Sequence, residues 1–114
     1  MHGATVEFRL GAGTPPLINP PEGTALARQA AQTVIDPAMV ARLDMASMGG
    51  EDFSYYLERT PGCYVRFGTA REGVAQFPAH SGSFNIDEEA LAVGAAWFHA
   101  VAVVAGQAIG ARRA

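Results

Sequence analysis

The chain has 114 residues, 49% of them hydrophobic, with eight Lys and Arg against eleven Asp and Glu for a net charge of -3. That is the composition of about one small globular domain with a limited core, and not of a disordered segment. Arg112 and Arg113 form the only basic pair. A nucleic-acid partner is therefore excluded as the main function, because phosphate recognition needs a concentrated cationic face. The lone cysteine, Cys63, has no internal partner and reads as a buried structural thiol in a strand.

Residues Ala4–Leu10, "ATVEFRL", alternate apolar Val6, Phe8 and Leu10 with charged Glu7 and Arg9, which predicts a half-buried strand. The following "GAGTPPLINPPEG" is a linker by composition, since four prolines and its glycines break regular structure. "EGTALARQAAQTVI" carries Leu26, Ala30 and Val34 at helical spacing, and Asp36-Pro37 ends it. "AMVARLDMAS" reads equally as a helical turn or a strand.

After Gly49-Gly50, "EDFSYYLERT" predicts a helix with Glu51 and Asp52 in its first turn, closed by Pro61-Gly62. "CYVRFGT" then predicts a short strand, and residues 70–79 an irregular loop. The last helix follows "HSGSFNIDEEALAVG", with Asn85 or Asp87 as cap and Glu88 and Glu89 in the first turn. "ALAVGAAWFHAVAVVAGQAIG" approaches the length of a membrane span, yet its preceding acids, His99 and Gln107 favour an internal helix. The start "MHGATVEF" lacks a basic stretch followed by an apolar one, so no signal peptide is expected. The order of elements is α/β, but one or two strands make too small a sheet to stand alone.

Two places could carry chemistry. Gly49-Gly50 offers backbone able to approach a ligand beside helix N–H groups, whereas Glu51 and Asp52 have the plainer role of favouring the positive helix end. His80 lies in a loop among small residues, where imidazole is either an ordinary solvated side chain or one metal ligand, and a catalytic zinc needs about three. His99 reads as a helix residue, and His2 is uninformative. No P-loop, nucleophile elbow, dinucleotide fingerprint or Cys pair is present.

"MGGEDFSYYLERTPGCYVRFG" followed by "HSGSFNIDEEALAVGAAWF" resembles the C-terminal part of the amidohydrolase branch of peptidase family M20, the group of hippurate and N-acyl-amino-acid hydrolases. The resemblance extends upstream through "GATVEFRLGAGTPPLINPP", with Pro16 and Asn19 in the family's usual places. It implies an α/β/α zinc-peptidase-like catalytic domain over residues 19–114, and the last strand of the small lid or dimerisation domain, with its linker, over residues 1–18. It also implies hydrolysis of N-acyl amino acids through two divalent metals (zinc, manganese, cobalt or nickel). His80 would be the family's last metal ligand, and Gly49, Gly50 and Glu51 would line the substrate cleft.

The family often has Pro at Gly82 and Asp at Asn85, so the turn near His80 departs from the pattern. Its other metal motifs and its general base have no counterpart in these residues. The chain alone is accordingly expected to be inactive and to hold no metal tightly. The alternative is a non-catalytic module that self-associates through the Ala4–Leu10 edge. The implied setting is cytoplasmic, with a small substrate as partner, neither nucleic acid nor membrane, and a homodimer among the open assemblies.

Overall fold

The computed structural model describes residues 3–112; His2 and Arg113 fall outside them. Its first helix, α1 (Pro21–Ala31), is capped by Pro20 and opens on Pro21, whose fixed φ suits the first helical position, where a missing N–H costs nothing. Glu22 in the first turn and Arg28 in the last complement the helix dipole. The chain then passes through turns to Asp36, whose carboxylate accepts the Ala38 N–H at 2.9 Å and opens a single 3-10 turn, Pro37–Met39. The open reading of "AMVARLDMAS" resolves into that turn followed by exposed irregular backbone.

The second helix, α2 (Phe53–Leu57), is shorter than its sequence suggested. The third, α3 (Glu89–Ala111), runs for 23 residues. Of its two candidate caps, Asp87 accepts the Glu89 N–H at 3.1 Å, while the Asn85 side chain turns to the Ile86 N–H instead.

The core lies between α1 and α3. Ala27 and Ala30 present the small face of α1, and Trp97 and Val104, seven residues apart on one stripe of α3, pack against it. The Trp97 indole N–H donates to the Ala27 carbonyl oxygen at 3.1 Å, and Phe67 meets its ring edge-on at 5.5 Å. Leu26, Cys63, Val65, Ala100 and Val101 close the sides of this cluster. At the far end of α3, Arg112 pairs with Glu22 at the start of α1. The rest of α3 leaves Leu91, Phe98 and Ile109 exposed. By length and composition this helix could cross a membrane, while the Trp97 and Val104 contacts are those of a core helix.

Two expectations need correction. Ala4–Leu10 and Cys63–Thr69 form no strand among the described residues. A strand exists only where a neighbour accepts and donates its backbone hydrogen bonds, and Ala4–Leu10 meets none. Its Glu7 and Arg9 pair with each other at 2.7 Å, and Val6, Phe8 and Leu10 stay 77%, 81% and 88% exposed. The regular elements among the described residues are helices, and neither expected strand is paired there. The radius of gyration is 18.9 Å, against about 13 Å for a compact chain of this length. Four apolar residues and Ser54 make up the whole buried set among the described residues.

Candidate functional site

Gly49 and Gly50 sit in an exposed loop, and neither has a positive φ. Gly50 is needed for a different reason, because a Cβ there would lie 2.9 Å from Thr14 Oγ1 in the linker. The Gly49 N–H donates to Ser47 Oγ at 3.3 Å. Glu51 then organises the start of α2. Its carboxylate accepts the Phe53 N–H at 3.2 Å, and its carbonyl oxygen accepts both the N–H and the hydroxyl of Ser54, the latter at 2.7 Å. Bonded in this way, Ser54 is the one buried polar side chain among the described residues.

The Phe53 N–H, and after it the Tyr64 hydroxyl, hold the Glu51 carboxyl below its usual range. The same contact with Glu51 raises the Tyr64 phenol above its usual value. A carboxylate held ionised by donors is a structural acceptor and a poor proton donor near neutral pH. Glu51 thus sits as an acid at a helix start, the plainer of the two roles its sequence position suggests.

Tyr64 is held on its other side by Asn19. The Asn19 side-chain N–H donates to the Tyr64 carbonyl oxygen at 2.7 Å, and the Tyr64 N–H donates to Asn19 Oδ1 at 2.8 Å. One side-chain amide thus supplies the donor and acceptor that a neighbouring strand would offer. Close by, Gly23 of α1 abuts the Gly62 carbonyl so tightly that a Cβ would collide with it. Asn19 and Gly23 are the residues that sequence reasoning left out of the site. Asn19 was marked only by its place in the family resemblance, and Gly23 only as a Gly inside a helix's first turn.

His80 occupies a tight turn in which the Ser81 N–H donates to the Pro78 carbonyl oxygen at 3.1 Å. It has φ +70° and is the only non-glycine with positive φ among the described residues. That conformation is the third position of a type II turn, where Gly or Asn is the usual occupant. His80 is exposed, and no hydrogen bond joins it to the Gly49–Glu51 loop among the described residues. The structure therefore ties Gly50 to the linker and Glu51 to Tyr64, keeps Gly49 bonded within its own loop, and leaves His80 apart from them.

No three His, Cys, Asp or Glu side chains converge as a metal cluster among the described residues. A pair of metals does not fit the donors present here by themselves. A shallow hollow of about 100 Å³, lined by residues including Arg71, Asn85 and Asp87, is well below the size of ordinary ligand pockets.

Comparison with known proteins gives the chain its relatives. It is 38% identical over 79 residues to glutamate–cysteine ligase 2-3 of Rhodococcus jostii (strain RHA1), covering 69% of this chain and 10% of that protein. It is 43% identical over 84 residues to N-acetyl-L-cysteine deacetylase of Bacillus subtilis (strain 168), covering 70% of this chain and 18% of the deacetylase. A protein of the same organism named amidohydrolase YhaA is 34% identical over 116 residues, covering 96% of this chain and 26% of its own length. The chain thus spans about a quarter or less of each of these relatives. No solved structure matches it. The model of Peptidase family M20/M25/M40 matches residues 3–103, so the strained His80 turn, the Gly49-Gly50 loop and the Asn19–Tyr64 clamp all fall within the match. This chain belongs to peptidase family M20/M25/M40.

Proposed function

We propose that this chain is the C-terminal part of a metal-dependent amidohydrolase that cleaves N-acyl amino acids. The family match over residues 3–103 carries the reading. Two relatives are named for a deacetylase of an N-acyl amino acid and for an amidohydrolase, so N-acetylcysteine joins hippurate as a substrate to test. The ligase name of the first relative is not carried over, because the shared segment is 10% of that protein.

In this reading residues 1–18 belong to the lid's last strand and linker, and residues 19–114 to the catalytic domain. Gly49, Gly50 and Glu51 line the cleft, with Glu51 fixing the loop and taking no part in proton transfer. His80 is one ligand of the two-metal centre. Its left-handed φ supports a functional role, since such strain in a non-glycine residue persists where the surroundings demand that side chain. When bound, the metals supply an acidified water for attack on the amide carbonyl. The remaining ligands and the general base lie on segments other than these 114 residues, so no catalytic step is assigned to this chain.

The test is metal content and hydrolysis of hippurate and N-acetylcysteine by the isolated chain with zinc, manganese, cobalt or nickel added. The expected result is no tightly held metal and no turnover. Metal-dependent turnover that disappears in His80→Ala would overturn the assignment of the other ligands elsewhere. A second reading, a non-catalytic module that self-associates in a cytoplasmic setting, rests on the alternating exposed side chains Val6, Phe8 and Leu10. Replacing Phe8 by Lys should then turn a specific dimer into a monomer in sedimentation.

A further inference from the structure

The linker between the two expected domains touches the candidate cleft loop, the helix α2 that follows it, and the segment after α2, at one point each. The Tyr55 hydroxyl, on α2, donates to the Gly13 carbonyl oxygen at 3.1 Å. Thr14 packs against Gly50 so closely that only a residue without Cβ fits beside its Oγ1 undisturbed. Asn19 grips both backbone groups of Tyr64, and the Tyr64 ring in turn lies 5.7 Å from that of Phe53, the first residue of α2.

These contacts join positions 36 to 45 residues apart in sequence. The segment between the outer points holds Pro15 and Pro16, which fix φ and make it stiff. A stiff segment fastened to a loop, to the helix that follows it and to Tyr64 beside that helix transmits displacement instead of absorbing it.

We propose that Gly13–Asn19 is a strap that holds the Gly49–Glu51 loop and the start of α2, so that movement of the linker repositions the loop. The strap is a property of the chain's own mechanics and stands whether or not the loop lines a substrate cleft. Its consequence for catalysis, that lid position sets the shape of the cleft, rests on the amidohydrolase reading.

Backbone ¹⁵N order parameters of the full chain test the strap without any assay of hydrolysis. In the native chain the strap amides of Thr14, Leu17, Ile18 and Asn19 and those of residues 49–53 should share values near those of rigid backbone, about 0.85. Tyr55→Phe removes one exposed hydroxyl and should lower the values at Gly13 and Thr14 as well as around Gly50. Gly50→Ala forces Thr14 aside and should loosen residues 14–19; adding Thr14→Ala, which removes the obstructing oxygen, should restore them. Asn19→Ala should speed exchange of the Tyr64 amide by about fivefold, the equivalent of one ordinary hydrogen bond, and should mobilise Gly49 and Gly50. The proposal fails if each substitution loosens only its own segment, if the double variant behaves as Gly50→Ala alone, or if the two segments already differ in mobility in the native chain.

Discussion

Trp97 is the largest of the four apolar residues in the buried set, at 7% exposure, and its removal should undo the contact between α1 and α3. An aromatic side chain buries about 150–250 Å², which at about 25 cal/mol per Å² corresponds to roughly 4–6 kcal/mol of transfer free energy. Measured large-to-small changes of this kind cost about 3–5 kcal/mol. A small domain has only about 5–15 kcal/mol in total, and here the remaining buried apolar residues are two alanines and a valine. Trp97→Ala should therefore leave α1 and α3 undocked at room temperature. Trp97→Phe keeps a ring beside Phe67 but loses the indole hydrogen bond to the Ala27 carbonyl, a loss of about 1 kcal/mol before repacking. Urea unfolding followed by far-ultraviolet circular dichroism separates the two variants. Trp97 is the only tryptophan, so native fluorescence reports independently on the same interface. The reasoning is refuted if Trp97→Ala unfolds at the native urea midpoint, or if the Ala and Phe variants unfold together.

Three further outcomes follow from the site. Gly23→Ala drives a Cβ into the Gly62 carbonyl, a backbone atom that cannot turn aside, and should lower stability by about 1–3 kcal/mol in thermal unfolding. His80→Gly relieves a left-handed φ that costs a residue with Cβ about 1–2 kcal/mol, less about 0.5–1 kcal/mol for the added freedom of Gly in the unfolded chain. A melting temperature equal to or above the native one is expected, and a clear fall would show that the side chain stabilises the turn. Glu51 has a depressed folded pKa, so its contribution is present above the usual carboxylate value and is lost as pH falls through the lower folded one. Tyr64 has a raised folded pKa, so its contribution is present below the usual phenol value and is lost as pH rises through the higher folded one. Protection of the Phe53 and Ser54 amides, taken relative to their intrinsic exchange rates, should therefore fall below about pH 4 and above about pH 10, and Tyr64→Phe should abolish the alkaline fall.

How far the sequence could be read depended on where each element finds its partners. α1 and α3 were legible because their signals are local: Pro-Pro before the first turn, small residues at helical spacing, and an acidic run before a long apolar stretch. Alternation in Ala4–Leu10 and aromatic content in Cys63–Thr69 signal a preference for pairing, but a strand also needs a neighbour that no local pattern can supply. Glu51 was legible as an acid at a helix start because its partner, the Phe53 N–H, lies two positions away. Asn19 became a backbone partner of Tyr64, and Gly50 a neighbour of Thr14, across long loops that periodicity does not reach. The φ of His80 was hidden for a different reason: Pro78 gives a turn in the sequence, but its neighbours Ala79 and Ser81 do not say which residue takes the left-handed position.

The Asn19 clamp also bears on the chemical durability of the chain. An asparagine amide ages when the backbone nitrogen of the next residue attacks it, closing a five-membered imide that opens to aspartate or isoaspartate. Here that opening would place a carboxylate oxygen against the Tyr64 carbonyl, two acceptors face to face, and the pairing at Tyr64 would be lost. The next residue is Pro20, whose ring nitrogen carries no hydrogen and cannot close the imide. The residue that starts the approach to α1 thereby also shields the amide before it from slow hydrolytic damage.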